Sequence, residues 1–139
     1  MIILDTNVLS EALKPAPHAG VAAWLKALPA ADVFTTTITE AEIFYGVALL
    51  PAGKRRTSLE AMVEALFEND FGERILTFDS TAARAFAAIA ADRRAAGKPI
   101  GEFDAQIAAI ARAHGATLAT RDVKDFAGCG VAVVSPWVG

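Results

Sequence analysis

Four acidic residues occupy positions where the sequence pattern changes between strand and helix. Asp5 and Asp122 directly follow short apolar segments, and Glu42 and Asp104 fall in the first turns of predicted helices. At these positions, side chains from distant parts of a chain can converge on one cleft. Two carboxylates 4 Å apart repel by about 4 kcal/mol at an effective dielectric constant of 20. A cluster of this kind therefore requires protonation of some members or a bound cation.

The available donor atoms predict which cation would bind. Cys129 is the only cysteine, which excludes a cysteine-based zinc site. His18 and His114 share no ligand spacing and are interpreted as structural or solvent-facing residues. Oxygen donors alone suit Mg²⁺ or Mn²⁺. Such an ion can polarise a phosphate and lower the pKa of a bound water, so the predicted chemistry is phosphodiester hydrolysis.

Each acid also has a purely structural explanation. Asp5 fits a turn or helix cap, and Glu42 fits a capping box in which it reaches back to the amide of Thr39. The remaining acids fit helix starts or turns: Asp104, Asp122 and Asp125. The coincidence of several such positions favours a shared site over separate caps.

The elements that must position these acids alternate between strand and helix. Strands are predicted at residues 2–4, 32–36, 75–77, 117–119 and 131–134. Helices are predicted from residue 8, over about 18–28, 39–50, 55–69, 80–97 and 103–114, with a short one before the last strand. This order predicts a single α/β domain over 1–139, with a mainly parallel sheet covered on both faces. Ligands of open sheets gather beyond the carboxyl ends of the strands, where these acids are placed.

Composition and charge narrow the class of protein. The chain is 54% hydrophobic and 21% charged, which predicts a folded core. No apolar run approaches the ~20 residues of a membrane span, and no signal peptide is recognised, so no membrane partner is predicted. The lone cysteine suits a reducing cytoplasm. The net charge of −3 argues against binding of nucleic acid through an overall positive charge. Contacts with nucleic acid would instead need a local basic patch, a metal ion or a basic partner protein.

Four motifs in order along the chain resemble the PIN-domain family. They are L-D-T-N at 4–7, E-I-F-Y-G at 42–46, F-D-A-Q-I-A-A at 103–109 and T-R-D-V-K-D-F at 120–126, followed by P-W at 136–137. The resemblance is strongest to the VapC and FitB toxins of bacterial type II toxin–antitoxin pairs. It implies a three-layer α/β/α domain and a Mg²⁺- or Mn²⁺-dependent ribonuclease acting on RNA.

The resemblance also assigns roles to individual residues. It implies four catalytic acids: Asp5, Glu42, Asp104 and Asp122. Of these, Asp5, Asp104 and Asp122 would bind the metal ion, with Asp125 as the alternative to Asp122. Thr6 and Thr120 would orient carboxylates or water, and Asn7 would do the same or only cap the helix that follows. Asp125 is a further candidate for such a supporting role. The implied partners are a second copy of the chain and a cognate antitoxin. That antitoxin would carry a DNA-binding domain and a basic or aromatic tail that blocks the acidic site.

One basic run has two possible roles, and three alternative functions can be compared with the sequence. Lys54, Arg55 and Arg56 either form a solvated helix start or contact the RNA backbone. A haloacid dehalogenase-like phosphatase would need a second aspartate two residues after Asp5, where this chain has Asn7. A DNA nuclease of the flap type would bring a larger chain. A non-catalytic PIN-like module that only binds an antitoxin-type regulator would not need the cluster of acids.

Overall fold

The computed structural model describes residues 1–137 as alternating strands and helices. The strands are β1 (Ile2–Leu4), β2 (Val33–Thr36), β3 (Ile75–Leu76), β4 (Thr117–Ala119) and β5 (Ala132–Val134). The α-helices are α1 (Thr6–Ala12), α2 (Ala19–Ala27), α3 (Thr37–Ala48), α4 (Lys54–Ala65), α5 (Ser80–Ala95) and α6 (Glu102–Ala113). Short 3₁₀ helices lie at Ala30–Asp32 and Val123–Phe126, and a π-helical turn lies at Leu66–Phe71. None of the helices in this range combines the length and apolar character that a bilayer crossing requires.

The strands form one sheet in the order β3-β2-β1-β4-β5. All four neighbouring pairs among the described strands are parallel. The chain extends the sheet from β1 through β2 to β3, and then returns to the opposite side of β1 for β4 and β5. This reversal leaves a crevice between the carboxyl ends of β1 and β4, which is where open parallel sheets bind ligands.

Helices cover both faces of the sheet. Ile3 and Leu118 point to the face covered by α5 and α6, and both side chains are fully buried there. Leu4 and Ala119 point to the opposite face, where they pack with apolar residues of α1, α3 and α4. Because successive strand residues alternate between faces, the short apolar strands supply both layers at once. The predicted three-layer α/β/α architecture is confirmed.

Most helix ends agree with the sequence prediction. Gly97 and Gly115 follow α5 and α6 with φ angles of 73° and 61°, the left-handed conformation that commonly ends a helix. α3, however, begins at Thr37, two residues before the predicted start, because the Thr36 hydroxyl accepts the Thr39 amide hydrogen at 3.1 Å. Glu42 is thereby moved away from the helix start.

Candidate active site

The crevice at the carboxyl ends of β1 and β4 is a cleft of about 440 Å³. It brings together the four acids that the sequence predicted as a cluster: Asp5, Glu42, Asp104 and Asp122. These residues come from the end of β1, from α3, from the first turn of α6 and from the loop after β4. The other lining residues are Thr6, Asn7, Ser10, Glu11, Lys14 and Arg121.

Asp5 is the most deeply buried of the four acids, with 5% of its surface exposed. One carboxylate oxygen accepts the Thr6 amide hydrogen at 2.8 Å, so Asp5 caps α1. The other oxygen accepts from the Thr120 hydroxyl at 2.7 Å. The cap explanation from the sequence is therefore correct, and the same carboxylate also lines the cleft.

Glu42 is held by a hydroxyl group from another element. The Thr6 hydroxyl donates to Glu42 Oε1 at 2.9 Å, and the Thr6 and Thr39 hydroxyl oxygens lie 3.1 Å apart. The capping box between Thr39 and Glu42 is wrong, because Thr36 provides the cap. Thr6 therefore connects α1 to the acid on α3.

Thr120 is the junction of the hydrogen bonds across the crevice. Its hydroxyl donates to Asp5 and accepts from the Asn7 amide group at 3.2 Å and from the Asp122 backbone amide at 3.1 Å. A hydroxyl offers one donor and two acceptor sites, so its capacity is completely used. Asn7 also donates to Asp122 Oδ2 at 3.1 Å and accepts from the Arg121 backbone amide at 3.2 Å. These bonds hold Asp122 and its loop against the end of β1.

Asp125 does not line the cleft, whereas Asp122 does. Asp125 is exposed on the 3₁₀ helix after β4. Its carbonyl accepts from the Arg93 guanidinium at 2.7 Å, which ties this segment to α5. The geometry therefore favours Asp122 as the fourth acid and leaves Asp125 as a neighbouring charge.

Burial and mutual repulsion raise the pKa values of three of the acids. Burial is the main cause of the raised pKa of Asp5, with smaller contributions from the charges of Glu42 and Asp122. Hydrogen bonds from Thr120 and Thr6 oppose that increase. Burial likewise raises the pKa of Glu42, and the Asp104 charge adds to the effect.

Asp104 is the most strongly affected acid. Burial, followed by the charges of Asp5, Asp125 and Asp122, raises its pKa to about 6. The half-buried side chain has no hydrogen-bond donor among the described contacts that would oppose this shift. A cation in the cleft would lower the pKa of all the raised acids, because it favours their charged forms.

The donor chemistry of the cleft fits Mg²⁺ or Mn²⁺ better than a softer ion. Its acidic side chains offer only oxygen atoms, and neither histidine nor cysteine lines it. Within residues 1–137, no group of three or more Asp, Glu, His or Cys side chains is arranged to hold an ion directly. Mg²⁺ usually retains several waters and binds through one or two carboxylates, which suits this more open arrangement. The three-carboxylate ligand set inferred from the motifs stays a prediction.

The basic run lies outside the acidic cleft. Lys54, Arg55 and Arg56 begin α4, and Arg55 lines an adjoining groove of about 510 Å³ between the end of α1, α3 and α4. Sequence reasoning missed several residues of the cleft wall: Ser10, Glu11, Lys14 and Arg121. Ser10 and Glu11 could have been found from their helical spacing on α1, since both share a face with Asn7. Lys14 lies just beyond the end of that helix.

Comparison with known proteins gives the family. The PIN domain model matches residues 2–128. The chain is 42% identical to VapC ribonuclease Y4jK of Sinorhizobium fredii over 137 residues, which cover 99% of this chain and 98% of the relative. It is 44% identical to toxin FitB of Neisseria gonorrhoeae over 137 residues, 99% of each chain. A solved structure of FitAB bound to a DNA fragment superimposes with a TM-score of 0.93 at 44% identity, covering 99% of this chain and 96% of that chain.

The fold is that of a PIN domain, and the chain belongs to the PIN domain family. Within that family its similarity to the VapC ribonuclease and to toxin FitB extends over nearly the whole length of each chain.

The role of Thr120 predicts a difference between two conservative substitutions. Thr120→Val removes the hydroxyl and leaves a buried oxygen of Asp5 without its donor, which costs about 1–3 kcal/mol of unfolding free energy. Thr120→Ser keeps the hydroxyl and should lose less than half of that amount. Urea unfolding of the metal-free protein measures both variants. Equal losses in the two variants would show that the methyl group, and not the hydrogen bond, is what matters.

The raised pKa of Asp104 predicts the sign of a pH dependence. In the folded state this acid binds its proton more tightly than in the unfolded chain, because its pKa is raised from 3.8 to about 6. This tighter proton binding contributes to the free energy of unfolding. The contribution is complete below the unfolded pKa of 3.8 and is lost as pH rises through the folded pKa of about 6. The full shift corresponds to roughly 3 kcal/mol, which solvent screening at this half-exposed side chain reduces to about 1 kcal/mol.

Asp104→Asn should therefore raise the free energy of unfolding of the metal-free protein by about 1 kcal/mol at about pH 8. At about pH 4 the free energy of unfolding should hardly change. Asp92→Asn, the same change at an exposed position on α5, is the control for the substitution itself. Unfolding curves at the two pH values provide the measurement. A gain from Asp104→Asn that is independent of pH would contradict the proposed shift.

Proposed function

We propose that this protein is a Mg²⁺- or Mn²⁺-dependent endoribonuclease and the toxin component of a type II toxin–antitoxin pair. The observation that carries the proposal is the convergence of Asp5, Glu42, Asp104 and Asp122 on one cleft. Three of these acids have raised pKa values, to which their neighbours contribute. The similarity to a VapC ribonuclease and to toxin FitB supports the reaction class and the biological role.

The residues of the cleft would hold the reacting groups in place. When bound, the metal ion supplies Lewis-acid polarisation of a phosphate oxygen and a more acidic water. Asp5 is fixed by two hydrogen bonds and Glu42 by one, so their carboxylates have defined directions. Asp104 is half-buried beside the other acids, and a bound cation would favour its charged form. Together these acids would orient the metal ion, the water and the phosphate with little reorganisation.

The free-energy cost of gathering the acids in one cleft argues against a domain that only binds a regulator. Burying Asp5 beside other carboxylates disfavours its charged form, as the direction of its pKa shift indicates. A domain that only bound a regulator would gain nothing from this arrangement. Phosphatase chemistry with a second aspartate is also disfavoured, because Asn7 donates to Thr120 and Asp122 and serves as a positioning residue.

We further propose that the cognate antitoxin covers the acidic cleft and the adjoining apolar groove. The groove shares Ser10, Lys14 and Glu42 with the cleft, so one segment could occupy both. A basic part of that segment would complement the acids, and an apolar part would contact groove residues such as Met62. Gly46 lines the groove within α3, although a Cβ there would meet nothing within 4 Å. A glycine inside a helix lowers its stability, and no neighbouring group of this chain requires one here. The missing side chain is better explained by a partner whose surface approaches α3 closely at Gly46.

Two further assignments rest on the same proposal. A cytoplasmic location follows from a ribonuclease whose only cysteine is a free, buried thiol. We also infer a homodimer that buries Tyr45 on α3 and Leu49 directly after that helix, which are the most exposed large apolar side chains within residues 1–137. Contact of Lys54, Arg55 and Arg56 with the RNA backbone stays a prediction.

The nuclease proposal predicts loss of cleavage when single acids are neutralised. With Mn²⁺ and a structured RNA, Asp5→Asn and Asp104→Asn should each reduce cleavage at least about 100-fold, because both remove charges that would hold the ion. Asp92→Asn on α5 should cleave like the unmodified protein. Gel analysis of the cleaved RNA gives the rates. Cleavage that survives both substitutions, or an excess of chelator, would overturn the proposal.

The antitoxin proposal predicts that the groove and the active site can be separated by mutation. Met62 is 46% exposed in the groove, so Met62→Glu should fold and place an unpaired charge against the apolar part of the antitoxin. The affinity for the product of the neighbouring antitoxin gene should fall by about tenfold or more, and RNA cleavage should persist. Ala61→Glu, at an exposed position of the same helix α4 outside the groove, is the control. Undiminished binding of Met62→Glu would place the antitoxin elsewhere.

A further inference from the structure

Arg121 lines the acidic cleft and is held there by two contacts. Its guanidinium carbon lies 5.3 Å from the centre of the Trp137 ring. Its backbone amide donates to Asn7 Oδ1 at 3.2 Å, which fixes the loop that carries it. An arginine stacked on an indole loses less conformational freedom when it binds a ligand than one that is free in solvent. The geometry therefore presents a positioned cation at the rim of an anionic cleft.

The pairing of charges distinguishes Arg121 from the other cation of the cleft. Lys14 Nζ lies 3.1 Å from Glu11 Oε1, so its charge is already balanced. This is the only side-chain ion pair within residues 1–137, and Arg121 therefore pairs with none of the carboxylates described there. Asp122 is the next residue in the chain, and its carboxylate is engaged by Asn7 instead. The stacked guanidinium remains available to an anion that enters the cleft.

We propose that Arg121 binds a backbone phosphate of the RNA substrate and that Trp137 is the positioning residue that orients it. This inference rests on the proposed ribonuclease function. Guanidinium groups bind phosphate through two parallel hydrogen bonds, which gives direction as well as charge. RNA entering this cleft meets several carboxylates and a protein of net charge −3, so a local cation is needed to offset that repulsion.

The hydrogen bonds of Asn7 determine where a phosphate bound by Arg121 would lie relative to the acids. Asn7 contacts the Arg121 amide, the Asp122 carboxylate and the Thr120 hydroxyl. The side-chain amide of Asn7 thus joins the Arg121 backbone to the acidic site. A phosphate bound by Arg121 would consequently keep a fixed register relative to the acids, which is what cutting at a defined bond requires.

The alternative is that Arg121 only reduces repulsion among the acids. In that case its removal would destabilise the folded protein and raise the pKa of neighbouring acids, without a specific loss of RNA affinity. Lys14→Ala provides a matched comparison, because it removes one positive charge from the wall of the same cleft. Arg94→Ala, at an exposed position near the end of α5, controls for general charge loss.

The decisive experiment measures RNA binding without divalent metal and cleavage with Mn²⁺. Fluorescence anisotropy of a labelled single-stranded RNA in EDTA gives the dissociation constant at several salt concentrations. Arg121→Ala should weaken binding by about tenfold and reduce the salt slope by about one. Arg121→Lys should recover part of the affinity, since it restores charge without the planar fork. Lys14→Ala should lose less than Arg121→Ala, and Arg94→Ala should match the unmodified protein.

The cleavage assay separates this inference from the proposed function. With Mn²⁺, Arg121→Ala should raise KM for the RNA by about tenfold and leave kcat within about twofold, because the contact is made in the bound state. Trp137→Ala should raise KM less, and Trp137→Phe should restore it. Unchanged KM and affinity in Arg121→Ala, or an equal loss in Lys14→Ala, would overturn the role of Arg121. An unmodified protein that neither binds nor cleaves RNA would overturn the proposed function and this inference together.

Discussion

The structure depends on keeping a buried carboxylate at the end of its central strand. Asp5 lies beyond β1, which pairs with β2 on one side and β4 on the other. Its two oxygens are satisfied by the first amide of α1 and by the Thr120 hydroxyl beyond β4. An unpaired buried carboxylate would be very costly. The start of α1 and the loop after β4 are consequently fixed relative to each other by one side chain.

Hydroxyl and amide groups make the acidic cluster possible within a folded chain. Thr6, Thr120 and Asn7 donate to three different acids, and each connects elements that are distant in sequence. These neutral donors stabilise the charged forms without cancelling them, whereas paired lysines or arginines would neutralise the cleft. Within residues 1–137 no buried polar side-chain atom lacks a hydrogen-bond partner. The repulsion among the carboxylates is therefore left to protonation of some members or, under the proposed function, to a bound cation.

The sequence predicted the placement of the acids because strand ends can be read from local pattern. The apolar run before Asp5 and the glycines after α5 and α6 are short-range signals. Glu42 shows the limit of this approach. Its spacing from Thr39 fits a capping box, but Thr36, one residue before α3, competes for the same amide and forms the cap. The true partner of Glu42 is Thr6, 36 residues away, and no local pattern encodes such a contact.

Arg121 was missed for a related reason, although it lies inside a quoted motif. Its significance comes from Trp137, sixteen residues later, and from the absence of an ion pair with any described carboxylate. The net charge of −3 indicated that nucleic-acid contacts must be local, but not where they lie. Folding places the four acids and the stacked guanidinium of Arg121 in the lining of one cleft. Asn7 bonds both the Arg121 backbone amide and the Asp122 carboxylate, so the loop that carries the cation is fixed relative to the acidic cleft.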